Sequence, residues 1–295
     1  MSSIRVNPQI QPDLLSALAE VRRQADTATQ ELATGSRINK PSDDPAGAAQ
    51  MISNRDQTSQ VDAFLRSITG VNGLLHTADS TLSSVVTALQ RAISLGVEGA
   101  NGTLSDADRQ DVAAELMGIQ QQLVSLANTS YQGEFIFSGT STRQPFVMAA
   151  SGAVTYQGNS GTNIAQVGPN YSVQINLPGS QLFTAPGASV FQAISDLIAS
   201  LQNNAGIGAA VTGLSSAFNH VTSQRVFYGN AINQLSAQQN YLNSEKVDLS
   251  TAANAIAGAD MAATAARLSQ AQLAVNAELA AMSRVSQNSL FDYLK

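Results

Sequence analysis

The 295-residue chain contains no cysteine and no tryptophan, has only 5% aromatic residues, and carries 12% charged residues, against roughly 25% in ordinary soluble domains. Without cysteine, disulfides and thiolate-held metals are excluded. The two histidines, His76 and His220, each stand alone on helix-patterned segments, with no carboxylate or second histidine at ligand spacing, so no metal centre is expected. The net charge of -6 and the lack of a basic stripe argue against a nucleic-acid partner. No apolar run is long enough to cross a bilayer, so no membrane insertion is expected, and the opening MSSIRVNPQIQPDLLSALAE lacks the apolar core of a cleaved signal peptide. With so few charges to keep copies apart, the composition suits self-association.

Motifs for catalysis are equally scarce. GIGAAVTG at 206–213 has glycines but no preceding strand and a misplaced third glycine, so it reads as a helix-starting connector rather than a nucleotide loop. Asp43 and Asp44 have no further acidic residue placed to work with them. Asn101-Gly102-Thr103 and Asn128-Thr129-Ser130 match a glycosylation sequon, a pattern common by chance. Neither a cofactor nor an enzymatic activity is expected.

What the chain has in abundance is apolar residues spaced alternately four and three apart, the pattern that holds one helix face against a neighbour. Leu14, Leu18, Val21, Ala25, Ala28 and Leu32 form the first series; Phe64, Ile68, Val71, Leu75, Ala78, Leu82, Val85, Leu89 and Ala92 form the second. After the expected loop GVEGANGTLSD, Ser105 has N-cap chemistry, with Asp106 and Asp108 in the first turn, and opens a third stripe of Val112, Leu116, Ile119, Leu123 and Leu126. A fourth runs from Val211 through Arg225 and Tyr228 to Ile256, and a last one reads Met261, Ala265, Leu268, Gln272, Val275, Leu279, Met282. The two terminal helices have no compact domain of their own, so they are expected to pair with each other and then to pack against other copies.

Between Tyr131 and about Pro186 the pattern changes to short β-rich runs, EFIFSG, AVTYQG, NIAQVG and YSVQINLPG, with Gly-Asn-Ser-Gly at 158–161 as an expected hairpin turn. SVFQAISDLIASLQNN at 189–204 reads as a short amphipathic helix. The fold class is therefore mainly α: a long antiparallel helical bundle or coiled-coil rod with a small β-rich inserted domain.

The stretch GSRINKPSDDPAGAAQ at 35–50 separates the first two helices. Gly35 fits a left-handed helix cap, Pro41 prevents continuation, and Asp44-Pro45 is an N-cap and first-turn pair. Arg37 and Lys40 lie within reach of Asp43 and Asp44.

This connector resembles the one that follows the first helix in the bacterial flagellin family, where a Gly-x-Arg-Ile-Asn run precedes Asp-Asp and small residues. ANGTLSDADRQDVAAEL, LANTSYQGEFIFSGTSTRQPF and the ending NSLFDYLK agree in the same order, and look most like the members at the hook–filament junction. The likeness covers about 1–146 and 205–295. It departs at Asn7-Pro8 and Pro12, which delay a helix that family members begin almost at once.

The resemblance implies a structural axial protein joining hook to filament by helical self-assembly, with a filament subunit as the alternative. It implies export through the flagellar type III channel without a cleaved signal, and an extracellular location. The partners implied are other copies of itself, neighbouring hook-associated and flagellin subunits, and an export chaperone at the C-terminal helix. Residues 1–45 with 257–295 would form the terminal coiled coil and connector, 46–130 with 205–256 the helical domain, and 131–204 the outward β-rich domain. The implied assembly interface comprises Leu14, Leu18, Val21, Leu32, Leu268, Val275, Leu279, Met282, Leu290, Phe291 and Leu294. The implied connector residues are Gly35, Arg37, Asn39, Asp43 and Asp44.

Overall fold

Long amphipathic stripes produce long helices. The computed structural model describes residues 10–291, and its seven helices among those residues are α1 (Ile10–Thr34), α2 (Pro45–Gly99), α3 (Asp106–Ala127), α4 (Gly179–Phe183), α5 (Val190–Gln202), α6 (Ile207–Ala257) and α7 (Met261–Phe291). Six short strands lie between α3 and α4: β1 (Ser130–Tyr131), β2 (Glu134–Phe135), β3 (Phe146–Met148), β4 (Val154–Tyr156), β5 (Ile164–Gly168) and β6 (Tyr171–Gln174). The expected fold class, mainly α with a small antiparallel β region, is what the chain adopts. Asn7, Pro8 and Leu294 lie outside the described residues. Pro12 sits in the first turn of α1, where its missing N–H removes no helix hydrogen bond.

The chain divides into two compact units, one built from residues up to 59 and from 245 onward, the other from 60 to 244. In the second unit the stripe of α2 is buried at Ile68, Leu75, Ala78, Leu82, Val85, Leu89 and Ala92. It shares that core with Leu116 and Leu123 of α3, Leu197 and Leu201 of α5, and Leu214, Val221, Tyr228 and Leu235 of α6. Arg225, which interrupts the apolar series, turns out to be bonded through two nitrogens to Asp79 of α2, at 2.6 and 3.0 Å. The Tyr228 hydroxyl accepts the Leu177 N–H at 3.2 Å, and burial pushes its pKa up.

Helix α3 begins with the capping box read from Ser105. Its side chain accepts the Asp108 N–H at 3.2 Å, while the Asp108 carboxylate accepts the Ser105 N–H. The preceding loop is shorter than expected, because Gly96 and Gly99 continue α2. A Cβ at Gly96 would lie 2.7 Å from a Val211 methyl and 3.0 Å from one of Leu197. Absence of side chains there lets α5 and α6 approach a helix that glycine would otherwise disfavour.

The β-rich region consists of three separate antiparallel hairpins. The first turns on Gln132 and Gly133, both at positive φ (53° and 89°), as a two-residue hairpin of the right twist requires. Gly-Asn-Ser-Gly at 158–161 is not a hairpin turn, since β3 pairs with β4 and β5 with β6. Instead Asn159 ties this segment to an earlier turn, its Oδ1 accepting the Thr140 N–H at 2.9 Å. EFIFSG is strand only at Glu134–Phe135; the Phe137 carbonyl goes to Gly179 N–H and the Tyr156 hydroxyl rather than to a strand. YSVQINLPG leaves strand geometry after Gln174, and α4 follows Pro178. Phe137, Phe146, Phe183 and Phe191 gather into one cluster with ring centres 5.1–6.0 Å apart, which places half-formed strands on a shared core. The Asn128 side chain both donates to and accepts from the Phe146 backbone, at 2.8 and 2.9 Å, so that sequon asparagine serves as a strand mimic.

Candidate assembly site: the paired terminal helices and their connector

In the first unit, α1 and α7 lie side by side and antiparallel: Glu31 meets Thr264 and Arg267 near one end, whereas Glu20 and Val21 share a groove with Ala271 and Ala274 farther along. The inward face of α1 is the one its spacing indicates. Leu18 and Ala28 are buried, and Leu14, Val21, Ala25 and Leu32 are half-buried.

On α7 the phase differs from the sequence reading. The face against α1 carries Thr264, Leu268, Ala271, Val275, Glu278 and Met282. Met261, Ala265, Gln272 and Leu279 are exposed, with Leu279 at 43% and Leu273 at 67%. A polar cluster sets this rotation. Glu31 is buried (5% exposed); one of its carboxylate oxygens accepts from the Arg267 guanidinium at 2.6 Å and from the Thr264 hydroxyl at 3.2 Å. Leaving that carboxylate without these donors costs about 1–3 kcal/mol, comparable to what burying one more leucine would return. Leu268, Val275 and Met282 belong to both stripes and are half-buried. Leu290 and Phe291 lie in the last turn of α7. An open groove of about 580 Å³ runs along the pair, lined by Glu20, Gln24, Thr27, Arg267, Gln270 and Ala274 among others.

The connector between α1 and α2 is braced through the side chains of Arg37, Asn39, Asp43 and Asp44. Gly35 has φ +69° and donates to the Glu31 carbonyl at 2.8 Å, closing α1 with the left-handed cap. Asp44 caps α2: its Oδ1 accepts the Gly47 N–H at 2.9 Å, while Oδ2 accepts from the Arg37 guanidinium at 2.9 Å. The Gly47 bond, and then the Arg37 guanidinium, hold its pKa below the usual carboxylate value. Asp43 Oδ2 accepts the Asn39 and Lys40 N–H groups at 3.0 and 2.8 Å. Lys40 therefore contributes its backbone rather than its ammonium. The Asn39 amide donates to the Ser36 carbonyl at 2.7 Å.

Spacing alone did not reveal the second half of this device. Residues 35–37 run antiparallel to 257–259, the turn between α6 and α7, through Arg37 N–H to the Ala257 carbonyl at 2.8 Å and Ala259 N–H to the Gly35 carbonyl at 3.0 Å. The Ser36 hydroxyl lies 3.1 Å from the Ala257 carbonyl. Asp260 caps α7, its Oδ1 accepting the Ala262 and Ala263 N–H groups at 3.0 Å each. An Asp before an Ala-rich helix was a readable signal; the pairing of two loops 221 residues apart was not. The Asn54 amide donates to the Leu249 carbonyl at 2.9 Å, joining α2 to α6 within the same unit.

Among the described residues there is no group of acidic and histidine side chains able to hold a metal ion, and no helix long and apolar enough to cross a membrane.

Comparison with known proteins bears on these same two ends. Residues 9–142 match the bacterial flagellin N-terminal helical region, and 211–294 match the bacterial flagellin C-terminal helical region. The chain is 35% identical over 158 residues to flagellar hook-associated protein 3 of Salmonella typhimurium, covering 53% of this chain and 49% of that one. It is 38% identical over 103 residues to the flagellin of Listeria monocytogenes, covering 35% of this chain and 36% of that one. The match thus spans about half the length of hook-associated protein 3 and about a third of the flagellin. In fold it is similar to a flagellar hook-associated protein from Vibrio parahaemolyticus, with a TM-score of 0.68 and 23% identity over 73% of this chain and 99% of that one. The two matched regions meet in α1 with the connector and in α6 with α7, and the chain belongs to the bacterial flagellin family.

Proposed function

We propose that the protein is a non-enzymatic structural component of the bacterial flagellum, an adaptor that joins hook to filament by helical self-assembly. One observation carries the reading. The segments similar to the flagellin N- and C-terminal regions fold onto each other as α1 and α7, and a hydrogen-bonded connector ties residues 35–37 to 257–259. Likeness to a hook-associated protein 3 over half of the chain favours the junction over the filament.

In this proposal residues 1–45 with 257–295 form the layer in which copies pack, 46–130 with 205–256 the helical layer outside it, and 131–204 the outward face. The exposed Leu15, Leu273 and Leu279 are covered by neighbouring copies, and the proposed interface also takes in the apolar residues Leu290, Phe291 and Leu294 of the sequence. Gly35, Arg37, Asn39, Asp43 and Asp44 hold the connector stiff, so that contacts in one layer are in register with those in the other. Neighbouring hook-associated and flagellin subunits flank it, and an export chaperone covers the C-terminal helix before the subunit leaves the cell through the type III channel without a cleaved signal. Burial that a single copy lacks is then supplied on assembly.

The test is deletion of the gene, followed by electron microscopy of the hooks and assay of flagellin in the medium. Hooks without filaments, with monomeric flagellin lost to the medium, are expected. Filaments that persist on the hooks would overturn the junction role. Loss of the filament without flagellin release would make this chain the filament subunit, a reading that the likeness to Listeria flagellin keeps in play.

A further inference from the structure

The loop between α2 and α3 contains an asparagine–glycine step, Asn101-Gly102, with all three residues 101–103 exposed. Nothing lies within 4 Å of where a Gly102 side chain would sit. The Asn101 Oδ1 accepts two hydrogen bonds, from the Thr103 N–H at 3.2 Å and from the Thr103 hydroxyl at 3.0 Å. Among the described residues no acceptor holds the Gly102 N–H. The ring closed by the Thr103 N–H bond contains both the Asn101 Cγ and the Gly102 nitrogen.

We infer that Asn101 is a site of spontaneous covalent modification, at which the Gly102 nitrogen displaces the side-chain amide. In the first step a bond forms between the Gly102 nitrogen and Asn101 Cγ, and the carbonyl electron pair moves onto Oδ1. The two Thr103 donors are already aimed at that oxygen and stabilise its developing charge. The Cγ–Nδ2 bond then breaks; the proton from the Gly102 nitrogen leaves with the side-chain nitrogen as ammonia, and a five-membered succinimide remains. Water opens the ring at either carbonyl, giving an aspartyl or a β-aspartyl residue. No oxidant or cofactor is involved. Glycine is needed after the asparagine because its nitrogen is unhindered and its backbone is free to rotate into attack.

The chain contains its own control. Asn72-Gly73 is the same dipeptide, but it lies inside α2, where the helix holds the Gly73 N–H and Tyr131 packs against Gly73. The Asn72 Oδ1 is buried and, among the described residues, accepts no hydrogen bond. One dipeptide is thus poised in a loop and the other protected inside a helix. The product places a carboxylate beyond the C-terminus of α2, taking the formal charge from -6 to one unit more negative at an end where the helix dipole opposes it. The loop of an old subunit therefore differs chemically from that of a new one.

The full-length chain should be aged in mildly alkaline buffer at physiological temperature, then digested and examined by mass spectrometry with chromatographic separation of aspartyl and β-aspartyl peptides. The expected result is an amide-to-acid mass change at Asn101, in paired aspartyl and β-aspartyl products, with Asn72 unchanged. Thr103→Val should slow the conversion several-fold, Thr103→Ser should retain it, and Gly102→Ala should suppress it. These residues are in an exposed loop, and circular dichroism of each variant is the check that its fold is kept. Absence of conversion at Asn101, equal conversion at both sites, or a Thr103→Val rate equal to that of the parent would each overturn the inference.

Discussion

At the scale of single residues, carboxylates do most of the organising in this protein, and they do so by accepting backbone N–H groups as often as by pairing with cations. Asp44, Asp108 and Asp260 each cap a helix start, and Asp43 closes the turn before α2. Asp44→Ala removes the acceptor of the Gly47 N–H together with the Arg37 partner. Faster hydrogen exchange is therefore expected in the first turn of α2, with exchange in α3 unchanged. Asp79 shows the corresponding effect of an ion pair. The Arg225 hydrogen bonds hold its pKa below the ordinary 3.8, so the folded state binds this proton less readily than the unfolded one. The stabilisation is present above the unfolded pKa and is lost as pH falls through the lower folded value. Being partly exposed, the pair contributes about 1 kcal/mol. Urea titrations below pH 4 should show parent stability falling toward that of Asp79→Asn, and parallel curves for the two proteins would contradict this.

At the scale of elements, heptad spacing is a good guide to which face of a helix is covered, and polar residues decide the exceptions. On α2 the buried face follows the apolar series closely. On α7 the buried Glu31 carboxylate and its Arg267 and Thr264 donors turn the helix so that Leu279 faces outward. Spacing could not foresee this because Glu31, beside Leu32, reads as a solvated charge. Glycines offer a direct test of packing at this scale. A Cβ at Gly179 would lie 2.8 Å from the Phe137 carbonyl and 2.7 Å from the Phe146 ring. Gly179→Ala should therefore destabilise the unit by about 1–3 kcal/mol. Gly229 lies within α6 with nothing within 4 Å, and Gly229→Ala should stabilise by about 0.5–1 kcal/mol. Chemical denaturation of the two variants should move in opposite directions.

At the scale of the whole molecule, the scarce charge, paired terminal helices and exposed leucines suit the proposed assembly, in which other copies complete the burial of each chain. If so, removing residues 286–295 should leave the principal melting transition of the monomer nearly unchanged and abolish polymer formation. A large loss of monomer stability would assign that segment to the fold of the single chain instead. The same holds for the connector: changing Asp43 and Asp44 together to Ala should weaken the polymer, as measured by its critical concentration, and normal assembly would remove their bracing role.

The helices, most of their buried faces and the caps at Gly35, Asp44 and Ser105 are legible in the sequence because each depends on residues within a turn or two of one another, and the family is legible from several motifs that keep their order along the chain. Which loops pair, how α7 is rotated and where the short strands end depend on contacts between residues far apart in the chain. Ser36 and Ala257 meet through folding rather than proximity in the chain. The two-residue strands β1 and β2 contain too little local pattern to specify themselves, and they pair across a turn in which Gln132 and Gly133 both hold positive φ.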